Sequence, residues 1–235
     1  MSLLLKIWSR KWMLRSIFSS IYFNFHYLPF RQAIYLPIIL YKCKFIRLLG
    51  KIELQIHKPL RPGIITLGRY NVSIYPNNGI IYENNGGTII FNGSSNIGNN
   101  SAISIGKSGV ITFGDGFSAS SSLRLVCYNN IQIKENVRVG WDCIIMDTDF
   151  HRMKRINGGY TRGYGKIEIG KGCWFANRCV ILKNTKIPDY CTFSSGSVLN
   201  KKYDIPFAVY GPADILLKRE GIYRDIKDDI INYEL

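Results

Sequence analysis

The stretch IGKGCWFANRCVILKNTKIPDYCTFSSGSVLNKKYDI, residues 169–205, decides the fold. It sets a bulky apolar residue at every sixth position: Ile169, Phe175, Ile181, Ile187, Phe193, Leu199 and Ile205. An amphipathic helix would space such residues three and four apart, and an alternating strand two apart, so a sustained period of six is a repeat architecture. The hexapeptide solenoid, a parallel β-helix, meets it. Three hexapeptides make one roughly triangular coil, the sixth-position side chain points to the axis, and coils stack at strand spacing, about 4.8 Å.

A second register runs through the same residues. Four positions after the anchors stand Cys173, Cys179, Thr185, Cys191 and Ser197, all small, as a tight interior beside a large anchor requires. Upstream, Ile133, Val139 and Ile145 are anchors, and Val137 and Cys143 follow the first two at the same offset. The cysteines are thus explained by packing as small hydrophobes, with no disulfide framework, and a reducing, cytoplasmic setting is expected. Three histidines, His26, His57 and His151, and no C-x-x-C pair give no support to a zinc site; no metal is expected.

The net charge of +15 is unevenly spread. Residues 1–70 hold twelve Lys/Arg against one acid, Glu53, for +11, and the remainder of the chain carries +4. The same region is rich in Trp, Tyr, Phe, Ile and Leu, a combination that points to an anionic surface. Lys6, Arg10, Lys11 and Arg15 break the first apolar stretch, and the uncharged run 16–30 is short and contains Asn24, His26 and Pro29, so neither a secretory leader nor a spanning helix fits. Two readings stay open for residues 1–60: an interfacial segment in peripheral contact with the inner face of the cytoplasmic membrane, and a cap over the first coil. No motif for nucleic acid accompanies the basic residues, so a nucleic-acid partner is not expected.

The expected division is a basic, aromatic, partly helical N-terminal cap over 1–63, a β-helix domain over 64–211, and a C-terminal helical cap over 212–235. In residues 64–130 the period of six is irregular. Ile97 with Ile103 keeps it, as do Ile105, Ile111, Phe117 and Leu123, and the slip from Ile103 to Ile105 predicts a change of face or a bulge. From Ile131 the repeat is regular except for a polar, Gly-rich excursion over about 150–165, read as a loop ejected from one coil. Long loops on rigid scaffolds commonly carry function.

At the mouth of that loop lies Trp141-Asp142-Cys143-Ile144-Ile145-Met146-Asp147-Thr148-Asp149-Phe150-His151. His151 is the only histidine of the regular repeat. Its imidazole is suited to take a proton from a hydroxyl near neutral pH, and a carboxylate can fix its tautomer; Asp149, Asp147 and Asp142 are the candidates. A surface histidine in a hydrogen-bonded turn is the plain alternative.

The repeat, with Asp147-x-Asp149-Phe150-His151 and then Ile167-Glu168-Ile169-Gly170-Lys171-Gly172-Cys173-Trp174-Phe175-Ala176-Asn177, resembles the hexapeptide-repeat acyltransferases. Within them it looks most like the O-acetyltransferases of capsule, exopolysaccharide and lipopolysaccharide synthesis, over about residues 85–215. The resemblance implies a left-handed parallel β-helix, a homotrimer with active sites between subunits, acetyl-CoA as co-substrate, and His151 as general base with Asp149 and Asp147 beside it. It places Trp174, Asn177, Ser195, Asn200 and Lys201 along the acetyl-CoA; Trp141 and Asp142, at the mouth of the loop, are the candidates for the sugar or glycan acceptor. A lysine near the phosphates is sound electrostatics. Gly211-Pro212-Ala213 matches the family's exit from the helix.

This chain departs from the family pattern where Ala176, Leu182, Pro188, Ser194 and Asn200 replace the glycine that usually follows each anchor, and where Arg152 replaces the proline that commonly follows the histidine. The implied reaction is direct acetyl transfer to a sugar hydroxyl. A covalent acyl-cysteine route is disfavoured because the cysteines lie in the inward register. Two other functions fit the same repeat: an N-acyltransferase acting on an amino sugar, and a non-catalytic trimeric scaffold. A β-helical metalloenzyme of the carbonic anhydrase type needs three histidines on its metal, and the repeat has one.

Overall fold

The computed structural model describes residues 11–151, 153–211 and 217–220, the segments 11–15 and 217–220 as backbone alone. Helix α1 (Lys11–Tyr27) and the short α2 (Phe30–Ala33) precede an almost entirely β chain. One sheet, here A, contains β1 (Ile38–Leu40), β4 (Ile65–Arg69), β7 (Ser95–Gly98), β10 (Phe117–Ser121), β13 (Arg138–Trp141), β16 (Trp174–Phe175), β19 (Thr192–Phe193) and β21 (Ala208–Tyr210). Sheet B contains β2 (Lys44–Leu48), β5 (Ile80–Asn84), β8 (Ser101–Ile105), β11 (Arg124–Cys127), β14 (Ile144–Met146), β17 (Val180–Leu182) and β20 (Val198–Leu199). Sheet C contains β3 (Lys51–Leu54), β6 (Thr88–Phe91), β9 (Val110–Phe113), β12 (Asn130–Ile133), β15 (Ile167–Ile169) and β18 (Lys186–Ile187). The chain visits A, B and C in turn and pairs every third strand in parallel, which is the three-sided parallel β-helix expected from the period of six.

Register follows the repeat. Ile169 pairs with Ile187, Phe175 with Phe193 and Ile181 with Leu199, each eighteen residues on, so three hexapeptides do make one coil. Phe175 and Phe193 stack 5.3 Å apart inside it, and Phe193 continues onto Tyr210 at 5.0 Å. The seventh anchor departs from expectation: Ile205 is 38% exposed, and Tyr203, 5% exposed, takes the interior place edge-on to Phe193. The cause is a shortened last coil: Lys186 bridges Lys202 only sixteen residues later, two short of eighteen, and Phe193 then pairs with Tyr210 seventeen residues later.

The small register lies at the corners. Cys143, Cys173, Cys179 and Cys191 are buried free thiols, and each donates to a carbonyl one coil up, of Ala176, Pro188, Ser194 and Ile205. The Thr185 hydroxyl does the same to Leu199, at 2.9 Å. Immediately before each small residue the backbone turns through positive φ, at Asn136, Asp142, Gly172, Arg178, Asn184, Tyr190 and Gly196. Left-handed turns suit Gly, Asn and Asp; Arg178 and Tyr190 hold them at a steric cost.

In the opening coils both inward residues of a strand are large. Ile103 and Ile105 are buried on one straight strand, β8, as are Ile89 with Phe91 and Ile111 with Phe113 on theirs. The slip between Ile103 and Ile105 is therefore neither a change of face nor a bulge: β8 pairs with β11 in unbroken register. Leu125 follows Ile103 by twenty-two residues and Ile145 follows Leu125 by twenty, so these coils exceed eighteen residues and blur the period of six. The solenoid also begins earlier than expected. Strands β1, β2 and β3 pair with β4, β5 and β6, so the first coil starts at Ile38 and the helical cap ends near residue 36 rather than 63. The extended gap between β3 and β4, with its prolines, hides that coil from a periodicity reading.

The cap covers an open strand edge. Ser16, Ser20 and Asn24, one helical face at spacing four, turn towards β1. The hydroxyls of Ser16 and Ser20 accept the N–H groups of Lys42 and Leu40, and the Asn24 amide both accepts from Ile38 N–H (3.1 Å) and donates to Ile38 O (2.7 Å). An unprotected edge would template pairing with another chain. Replacing the fully buried Asn24 by Leu strands both groups of Ile38, and a loss of about 2 kcal/mol is expected in a denaturant melt; an unchanged midpoint would remove Asn24 from the cap.

At the other end, residues 217–220, expected within a helix, form β22 (Leu217–Glu220), antiparallel to β21. That strand pairs with β21, whose edge a helix there would leave open. The rest of the expected C-terminal cap, 212–216 and 221–235, lies outside the described residues.

Candidate active site

Between β14 and β15 the chain leaves the corner of sheets B and C and returns after Lys166. It does so as a hairpin arm rather than an open loop. Thr148 bridges Tyr164 and Lys154 bridges Tyr160, both antiparallel, while Asp149 N–H donates to Gly163 O at 2.7 Å and Gly165 N–H to Asp147 O at 3.0 Å. The tip turns at Gly158 and Gly159, both at positive φ with open space around them. Phe150, Met153, Ile156, Tyr160 and Tyr164 are exposed along the arm.

The base of the arm is fixed by Asp147. Its carboxylate is fully buried and accepts the backbone N–H groups of Tyr128 (2.7 Å) and Asn129 (2.8 Å), the same corner one coil below. Asp147 is thus a strut between coils, not the partner of His151. Asp149 is turned to Lys183, at 2.5 Å, and Lys183 also donates to Arg162 O at 2.8 Å, tying the arm to the coil above. Asp142 lies on another edge. None of the three carboxylates expected to orient His151 does so in the single chain.

His151 is exposed at the mouth of a recess of about 390 Å³ lined by Thr148, Phe150, Thr161, Arg162, Gly163 and Tyr164. The step before it is sharply turned: Phe150 has φ 59°, its N–H donates to the Thr148 hydroxyl, and its ring packs edge-on against Tyr128 at 4.9 Å. Those contacts hold the backbone so that the imidazole is presented at the recess, and it makes no hydrogen bond to any described residue. The Arg162 guanidinium lies over the Tyr164 ring, 4.5 Å from its centre, and supplies a cation beside the recess.

The remaining expected residues divide between two edges. Asn200 and Lys201 are exposed on the B–C edge after β20, on the side of His151 and Lys183, and the Lys201 ammonium lies 5.8 Å from the Tyr203 ring centre. Trp141, Asn177 and Ser195 stack in successive coils on the A–B edge: Trp141 O accepts from Arg178 N–H, Asn177 O from Gly196 N–H, and the Ser195 hydroxyl bonds the Asn177 side chain. Trp174 sits beside that column on the outer face of sheet A, flanked by Arg138 and Thr192.

Tyr75 and Lys183 were not legible as site residues. Tyr75 comes from the excursion between β4 and β5, reaches Asp142 with its hydroxyl at 2.6 Å, and lies 6.0 Å from Trp141 ring to ring. The hydrogen bond to Asp142 pushes the Tyr75 pKa up to about 12. Its stretch reads only as a turn cluster in sequence. Lys183 has a signal in the register: Met146 pairs with Leu182, so the residues that follow them occupy one corner in adjacent coils.

Cys127 and Cys173 take no part: burial pushes their thiols well up, which leaves them protonated and unreactive at neutral pH. Cys179 and Cys191 are buried as well, away from the recess, although the hydrogen bonds from Cys143 and Cys173 hold their thiols below the usual range.

No protein-family model matches the chain, and no curated protein matches it either. Two solved structures are similar to it at low identity. One is described as the polysialic acid O-acetyltransferase OatWY, with 18% identity, a TM-score of 0.36, and coverage of 83% of this chain and 91% of that one. The other is described as the polySia specific acetyltransferase NeuO, with 14% identity, a TM-score of 0.41, and coverage of 80% of this chain and 74% of that one. The fold assignment rests on the sheet pairing within this chain.

Proposed function

We propose that the protein is an O-acetyltransferase that moves an acetyl group from acetyl-CoA to a hydroxyl of a sugar in cell-surface polysaccharide synthesis, with His151 as general base. The observation that carries the reading is the presentation of His151, unpaired to any described residue, at a recess on the edge of a rigid β-helix. The resemblance read from the sequence supplies the donor and the reaction. As the acceptor oxygen attacks the thioester carbonyl, Nδ1 or Nε2 of His151 takes its proton; the tetrahedral intermediate then collapses, the C–S bond breaks, and the imidazolium returns the proton to the departing CoA sulfur. The products are the sugar acetate and the CoA thiol.

Acetyl-CoA fits the residues at hand. Asn177 and Ser195 offer polar groups along one edge and Trp174 a flat apolar surface beside them, while Asn200 and Lys201 offer a donor and a cation for phosphate. In one chain these sets lie on two edges, and His151 shares an edge with only one of them. A site using both draws on a second copy, so we read the active unit as a homotrimer with sites between subunits, whose neighbouring chain covers part of the apolar arm.

Complementation tests that arrangement. His151→Ala and Ser195→Arg, each inactive alone, should on co-expression regain about a quarter of the wild-type rate, the share of sites that draw one intact edge from each kind of chain. A mixture as inactive as its components would place both edges' work within one chain or none.

A further inference from the structure

Helix α1 turns large apolar side chains outward. Its inward face combines Ser16, Ser20 and Asn24, spent on the backbone of β1, with the fully buried Phe23, while Ile17, Phe18, Ile21, Tyr22 and Phe25 face outward and Phe18 is 69% exposed. A helix on the surface of a soluble domain carries polar residues on that outer face. Phe30, 71% exposed, and Tyr35 extend the apolar face past α2. Beside the helix an apolar groove of about 260 Å³ opens between Ile17, Leu36, Ile39 and Tyr41.

Charge identifies what covers this face. Arg31, Lys44, Arg47 and Lys51 are exposed in the first coil and its cap, and residues 1–70 carry twelve basic residues against one acid. Two copies meeting through this end would bring like charge together. An anionic lipid surface satisfies both features: acyl chains take the aromatic and aliphatic side chains, and headgroups take the cations. No described helix is long and apolar enough to cross a membrane, so the contact is interfacial.

We propose that the N-terminal end of the β-helix rests on an anionic bilayer, with Phe18, Tyr22 and Phe25 of α1 inserted at the headgroup level. This inference is independent of the acyl-transfer reading and survives if that fails.

The test is flotation of the full chain with phosphatidylcholine vesicles, with and without phosphatidylglycerol. Wild type should float with the anionic vesicles and far less with the neutral ones, and rising salt should release it. The triple variant Phe18→Ser/Tyr22→Ser/Phe25→Ser leaves the inward stripe intact and should lose about tenfold or more of its partitioning, with its circular dichroism unchanged. Lys44→Glu/Arg47→Glu, which keeps the apolar face, should lose the preference for anionic vesicles, and it decides alone should the triple variant not fold. The proposal is overturned if wild type stays in solution with both vesicles, if it binds neutral vesicles equally well, or if folded variants float like wild type. It is equally overturned if the triple variant reduces the assembly size in sedimentation without any lipid binding, which would put the face between copies.

Discussion

His151→Ala is expected to lower kcat for acetyl transfer about a hundredfold or more, the usual scale for loss of a general base, while acetyl-CoA affinity stays within a few-fold of wild type. The split follows from role and placement. His151 stands at the arm's recess, while the residues proposed to hold acetyl-CoA lie outside that recess: Asn177, Ser195 and Trp174 on sheet A and the A–B edge, and Asn200 and Lys201 after β20 on the B–C edge. The substitution removes an exposed side chain that bonds no described residue, so the fold should be untouched and the melting curve should overlay that of wild type. Undiminished transfer by the folded variant would take the base away from His151.

Asp147→Ala is expected to destabilise the protein by about 4 kcal/mol, because it strands the half-buried N–H groups of both Tyr128 and Asn129, each bonded to the fully buried carboxylate. Asn, which keeps one accepting oxygen, should cost about 2 kcal/mol on the same reasoning. Equilibrium denaturation measures both. Because the carboxylate serves the backbone of the neighbouring coil, Asp147→Asn should retain activity per folded molecule within a few-fold. A folded Asp147→Asn with a hundredfold loss in kcat would instead make it the partner of the imidazole.

The two aspartates flanking Thr148 illustrate where a sequence reading succeeds and where it stops. Their spacing before His151 marks the site region, but proximity in sequence is not contact: Asp147 ends its strand pointing into the corner, and Asp149 meets a lysine thirty-four residues on. Such contacts between coils follow from register, and the register becomes usable only once the eighteen-residue insertion between Ile145 and Ile181 is recognised. The late coils were legible because one large anchor per strand and short corners keep the period at six. The early ones were not, because two inward residues per strand and longer corners break it, which also concealed the coil starting at Ile38. The corner turns had a readable trace in Asn136 and Asp142, six apart, and in Gly172, Asn184 and Gly196, twelve apart, where Arg178 and Tyr190 at the intervening turns masked the period. The stripe Ser16, Ser20, Asn24 was equally present, a polar face in an apolar helix, and acquires meaning only when the bare edge of β1 is placed beside it.

The most direct test of the central claim is CoA thiol release from acetyl-CoA by the purified wild-type protein, measured with and without a panel of sugar and glycan acceptors. Release that depends on acceptor and yields an acetate ester on a hydroxyl is expected. Acetyl-CoA that neither binds nor turns over with any acceptor would contradict it, and would leave the β-helix as a scaffold whose exposed histidine does no chemistry.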